Sequence, residues 1–166
     1  MYELNEILVY GNNGVCKVVD IRKEQFTGSP AMYYILSPIF SRQSALYVPI
    51  ENTTLSSKLR PVMLKETLHE MVLTAKHSNA CWESNDRIRA ENFNRVVSKG
   101  MSSELLTIFK SLIIHKHDLK SGVKKLHHAD ERILELCEKI VGEKFAYAFV
   151  VEIDDALSHI QHELVA

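Results

Sequence analysis

The chain of 166 residues is 46% hydrophobic and 25% charged with a net charge of −1, the balance of a folded globular protein and not of a disordered one. Its longest apolar runs are a few residues, too short to span a bilayer, and the start "MYELNEILVY" lacks the basic opening and long apolar stretch of a secretory leader. Three cysteines, Cys16, Cys81 and Cys137, lie far apart without CxxC spacing, so they read as reduced thiols of a cytoplasmic protein, with neither a disulfide framework nor a zinc site.

Up to about residue 60 the hydrophobic period is two. "EILVYGNNGVCKVVDI" predicts a short strand, a tight turn and a second strand in which Val15, Lys17 and Val19 alternate with Cys16 and Val18. Asn13 and Gly14 mark that turn because both residue types tolerate positive φ. "TGSP" at 27–30 is a second turn, "AMYYILS" a third strand and "ALYVPIEN" a fourth, where Pro49 fixes a strand end or an edge. Four short strands predict a small curled sheet or barrel over residues 1–60, a unit too small to bury much surface alone.

From Pro61 the period becomes 3.6, which predicts an all-helical unit over 61–166 and an α+β chain. Leu64, Leu68, Met71, Val72 and Ala75 form the first stripe. Ile88, Phe93, Val96 and Val97 form the second, with Gly100 at its C-terminal end. Ser102 or Ser103 caps a third helix with Leu105, Leu106, Phe109, Leu112 and Ile113 facing inward. A long fourth helix opens at 127–130 and runs to about Phe149, and a last one carries Ile153, Leu157, Ile160 and Leu164.

No catalytic constellation accompanies these elements. The sequence has no GxSxG, no P-loop and no HExxH, and its glycines stand at turns and helix ends. Among the eight histidines, His159 and His162 are at i, i+3 on the last helix, but spacing supplies no third metal ligand. Neither enzyme activity nor a cofactor, metal or small-molecule ligand is expected.

Charge is distributed unevenly. Residues 76–125 carry ten Lys or Arg against five Asp or Glu, and residues 126–166 carry three against nine. Within the basic stretch Arg87, Arg89, Arg95 and Lys99 lie on or beside one helix. Lys110, Lys116, Lys120, Lys124 and Lys125 follow on the next helix and its loop. Such a set suits phosphates, which need only positive groups at workable spacing. The only tryptophan, Trp82, precedes this stretch in the polar run "ACWESNDRIRAEN". A presented indole can stack at a base step, which basic side chains cannot do.

The opening "LNEILVYGNNGVCKVVDI", followed by "YYIL", "LYVPIEN" and "LRPV", resembles the start of the CarD/CdnL/TRCF family. The single tryptophan, the R-x-R after it and "ADERILELCEKIVGEKFA" resemble its full-length CarD-type members, so the likeness runs over about 1–150. The resemblance implies a Tudor-like N-terminal domain that binds the β subunit of bacterial RNA polymerase. It also implies a helical C-terminal domain on promoter DNA near the upstream edge of the −10 region. Trp82 would be a minor-groove wedge that stabilises the open complex, and Arg87 and Arg89 phosphate contacts. Tyr47, Val48 and Pro49 lie on the strand beside which the polymerase would add its own, with Lys23 near the other matching loop. Localisation would be cytoplasmic, nucleoid-associated through the polymerase.

Two differences from the best-known branch bear on this. Glu83 and Asp86 separate Trp82 from its first arginine, and Tyr47 stands where that branch has arginine. The acidic C-terminal forty residues leave a second reading open, a polymerase-binding adaptor without DNA binding, since like charge opposes approach to a duplex.

Overall fold

The computed structural model describes residues 1–79, 82–120, 122 and 124–166, with Lys120 described by its backbone alone. Cys81 therefore lies outside the described residues, as does the side chain of Lys120. The chain is an α+β protein of two compact units, Met1–Val62 and Met63–Ala166.

The first unit is an antiparallel sheet of β1 (Ile7–Tyr10), β2 (Val15–Glu24), β3 (Ala31–Pro38), β4 (Leu46–Pro49) and β5 (Leu59–Pro61), with a one-turn helix α1 (Thr53–Ser56) between the last two. The strand order is β4-β3-β2-β1-β5. Four strands are those the alternation predicts; β5 is additional. It has three residues, too few to show a period, and pairs Leu8 with Pro61 and Tyr10 with Leu59. Pro61 thus ends the sheet instead of opening the helical unit, and a boundary at residue 60 cuts a strand. The turn after β1 also differs from expectation. Its positive-φ residues are Gly11 (φ 48°) and Gly14 (φ 84°), and Asn13 is not among them. The chain makes a single 3₁₀ turn over Gly11–Asn13.

Alternation puts Leu8, Cys16, Val18, Tyr34, Leu36, Val48 and Leu59 into one core. Tyr2 closes that core from the N-terminal segment. Its backbone N–H donates to the Tyr34 hydroxyl at 3.1 Å, and its own hydroxyl donates to the Leu59 carbonyl at 3.0 Å. These two bonds tie the start of the chain to both halves of the sheet.

The second unit is helical: α2 (Lys65–His77), α3 (Asp86–Ser98), α4 (Ser103–Lys120), α5 (His128–Phe149) and α6 (Ile153–Val165). The predicted stripes face inward at Leu68, Val72, Phe93, Val96, Leu105, Phe109, Ile133, Val141 and Ile160, among others. Ser102 is the cap of α4, its Oγ accepting from Leu105 N–H at 3.0 Å, and Gly100 ends α3 with φ 81°. Two predicted positions are displaced. Leu64 is 70% exposed, just ahead of α2. On α3, Ile88 is 46% exposed while Arg89, one step around the helix, is 3% exposed.

Candidate functional site

The edge strand β4 is the first candidate. Tyr34 pairs with Val48 and Ile35 with Tyr47, and Ile50 N–H donates to the Met32 carbonyl at 2.9 Å. Ladder bonds fall on alternate residues of an antiparallel pair, so Val48 bonds inward to β3 and the N–H and C=O of Tyr47 point away from the sheet. Pro49 has no N–H, and its carbonyl accepts from Asn52 N–H at 3.3 Å. The outward backbone pair of Tyr47 is therefore bounded by a proline. Val48 itself is fully buried in the core. Its side chain is turned into the core, away from the open edge, because consecutive strand residues face opposite ways. Tyr47, 40% exposed, faces out. Its ring meets Phe26 edge-on at 5.0 Å, and Phe26 meets Tyr33 at 5.2 Å. Phe26 is 56% exposed. It lies in the loop that the sequence shows only as a turn, and only the fold reveals it beside Tyr47. Lys23 is exposed on β2 opposite Met32.

The second candidate surrounds Trp82. Asn85 caps α3, its Oδ1 accepting from the N–H groups of Arg87 and Ile88, each at 3.1 Å. The helix begins with Arg87 outward and Arg89 inward. The Arg89 guanidinium reaches Asp130 on α5 through Nε at 3.0 Å and Nη2 at 2.6 Å. It also donates to Asp86 at 2.7 Å and to the Glu83 carbonyl at 2.7 Å. Asp130 is 1% exposed. Arg89 is thus a buried, fully engaged cation and not the phosphate contact the sequence suggests. Its hydrogen bond holds the Asp86 carboxyl below its ordinary value, while the bonds it donates to Asp130 raise Arg89 further.

The guanidinium lies 4.4 Å from the centre of the Trp82 ring. His115 of α4 stacks on the same ring at 3.8 Å and 16°, and Phe93 meets it edge-on at 6.1 Å. Trp82 is consequently half-buried, where the sequence predicts exposure. Three side chains from two helices, Arg89 and Phe93 of α3 and His115 of α4, pack around it.

Most of the other cations among the described residues are displayed. Arg87, Arg95 and Lys99 are exposed and recur at multiples of four residues, one outward stripe roughly 18 Å long at 1.5 Å per residue. Glu91 sits in that stripe and pairs with Arg87 at 3.1 Å; Arg95 bonds Asn92 at 2.5 Å. Lys124 and Lys125 are exposed on the segment before α5. Lys110 is not displayed. Its ammonium donates to the carbonyls of Ala75, Lys76 and Ser78 at 3.4, 2.6 and 3.2 Å, neutralising the C-terminal end of α2.

Residues 2–63 match the family described as CarD-like/TRCF RID domain. The sheet unit is a CarD-like RID domain. No curated protein matches the chain. The match starts at Tyr2, whose hydroxyl closes the core, and ends at Met63, two residues beyond β5. The RID family is one of protein-interaction domains of RNA polymerase-interacting transcription factors, not a family of enzymes. Among the described residues no three His, Cys, Asp or Glu side chains converge as metal ligands. His159 instead stands 3.5 Å from Glu163 on its own helix. No helix among the described residues is long and apolar enough to cross a membrane.

Proposed function

We propose that this chain is a transcription regulator that docks on the β subunit of RNA polymerase through its RID domain and touches promoter DNA through its helical unit. The RID match over residues 2–63 carries this reading. The β4 edge supports it, because it offers one outward N–H and C=O pair at Tyr47 beside an aromatic surface, which suits the addition of a short strand. On the helical unit the stripe of Arg87, Arg95 and Lys99, with Lys124 and Lys125, would neutralise phosphates without reading bases. Trp82 would abut the upstream edge of the −10 region with the part of its ring left free by Arg89, His115 and Phe93. A half-buried ring acts there as a fixed stop rather than a mobile wedge. Stabilisation of the open complex then comes from contact that melted DNA makes and closed DNA does not.

The test of docking is retention of core polymerase by the full chain. Tyr47→Asp should abolish retention, since it places a charge against a desolvated strand edge, while Arg87→Ala should retain polymerase fully. Undiminished retention by Tyr47→Asp would remove the edge from the proposal. The adaptor alternative predicts polymerase retention with no salt-dependent shift of duplex DNA.

A further inference from the structure

We propose that Asp130, acting through Arg89, is the positioning residue that fixes the orientation of Trp82; this rests on the reading that Trp82 meets DNA. Trp82 and Asp130 are far apart in sequence, and neither spacing nor charge pattern joins them. The fold joins them through one guanidinium. Two of its nitrogens are held by both carboxylate oxygens of Asp130 at 3.0 and 2.6 Å, and a third donates to the carbonyl of Glu83 at 2.7 Å. Glu83 is the residue directly after Trp82, so its carbonyl fixes the backbone that carries the indole. The Arg89 guanidinium then lies 4.4 Å from the ring centre. Backbone and side chain of the presented residue are thus held by one group, which the buried Asp130 carboxylate on α5 grips through two nitrogens, with Asp86 of α3 adding one bond at 2.7 Å.

A buried ion pair is weak evidence for stability, because desolvation opposes the Coulomb gain and well-packed apolar residues often serve as well. Apolar residues could fill this space, yet they would not grip a loop carbonyl and stack an indole at once. A planar, five-donor fork does both, and a lysine would not. The burial of Asp130 at 1% and of Arg89 at 3% shows that the fork is anchored in the core. His115 supports the ring from α4 at 3.8 Å and Phe93 meets it edge-on at 6.1 Å; releasing Arg89 removes the grip on the Glu83 carbonyl and the cation over the ring, and with them the orientation of the indole.

Trp82 is the only tryptophan, so fluorescence excited beyond the tyrosine absorption band reports on this side chain alone. Asp130→Asn in the full chain, with helical circular dichroism unchanged, should red-shift the emission and increase quenching by acrylamide. Asp130→Glu, which keeps the carboxylate, should stay closer to the wild-type signal. With polymerase on an unstable promoter, Asp130→Asn should shorten the open-complex half-life by the same several-fold as Trp82→Ala, with polymerase retention unaffected. Should Asp130→Asn not fold, Arg89→Lys carries the same readouts. A folded variant with wild-type emission and quenching overturns the proposal. So does a shifted emission with an unchanged half-life when Trp82→Ala shortens it. If the emission shifts and Trp82→Ala itself leaves the half-life unchanged, Asp130 still positions the indole and the DNA reading is what fails.

Discussion

Arg87 and Arg89 are two residues apart, and the fold gives them opposite work. Arg87 is 88% exposed at its side chain and pairs with Glu91, a surface contact worth at most about 1 kcal/mol. Arg89 neutralises a buried carboxylate, and its removal would leave Asp130 uncompensated at a cost of about 3–5 kcal/mol. Urea melts should therefore separate the two: Arg89→Ala destabilises the helical unit severely and Arg87→Ala scarcely at all. Trp82→Ala should fall between, at roughly 2 kcal/mol, less than the cost of truncating a wholly buried aromatic. Sequence pattern cannot distinguish these arginines. An apolar Ile88 beside a cation argues for Ile88 inward, and the reversal depends on Asp130, 41 residues from Arg89. The cysteines give a second prediction at this scale. Burial pushes the Cys137 thiol up to about 12, so at pH 8 it carries almost no thiolate, the reactive form. In a Cys81→Ser background, iodoacetamide at pH 8 should label Cys137 only after denaturation; labelling of the native protein would contradict the packing.

At the scale of elements, the long helices are legible because each buries a stripe of at least three apolar residues at helical spacing, as α5 does from Ile133 to Phe145. Short elements are not. β5 exists because Leu59 and its neighbours pair with β1, a non-local fact that three residues cannot announce. The candidate docking edge was half legible: Pro49 marks an edge, but only the register shows that Tyr47 faces out and Val48 in. The packing of α5 on α6 rests on Gly142. A Cβ there would lie 2.9 Å from Cγ2 of Ile153 and 3.2 Å from Cγ of Leu157. Alanine favours an isolated helix by about 1 kcal/mol over glycine, yet overpacking costs typically 1–3 kcal/mol. Gly142→Ala should therefore lower the melting temperature of the helical unit. A rise would mean that α6 yields readily to the added methyl.

For the whole molecule, the charge division bears on how the proposed DNA binding would respond to salt. Displayed cations stand on α3 and before α5, whereas residues 126–166 carry nine acids against three bases. Binding to duplex should be weak, nearly independent of sequence and steeply salt-dependent. Each of Arg87→Ala and Arg95→Ala should reduce the slope of log K against log salt by about 1, similarly on unrelated duplexes. Marked preference of the isolated protein for one promoter sequence would refute phosphate-only contact.

The two edges of the sheet share a further property. β4 is four residues long and ends at Pro49; β5 is three residues long and ends at Pro61. Exposed strand edges invite sheet-to-sheet polymerisation, and short, proline-ended strands are among the devices that prevent it. A strand too short to template another copy of the sheet, yet long enough to pair with one partner segment, would let the protein stay dispersed at high concentration while keeping an edge open for recognition.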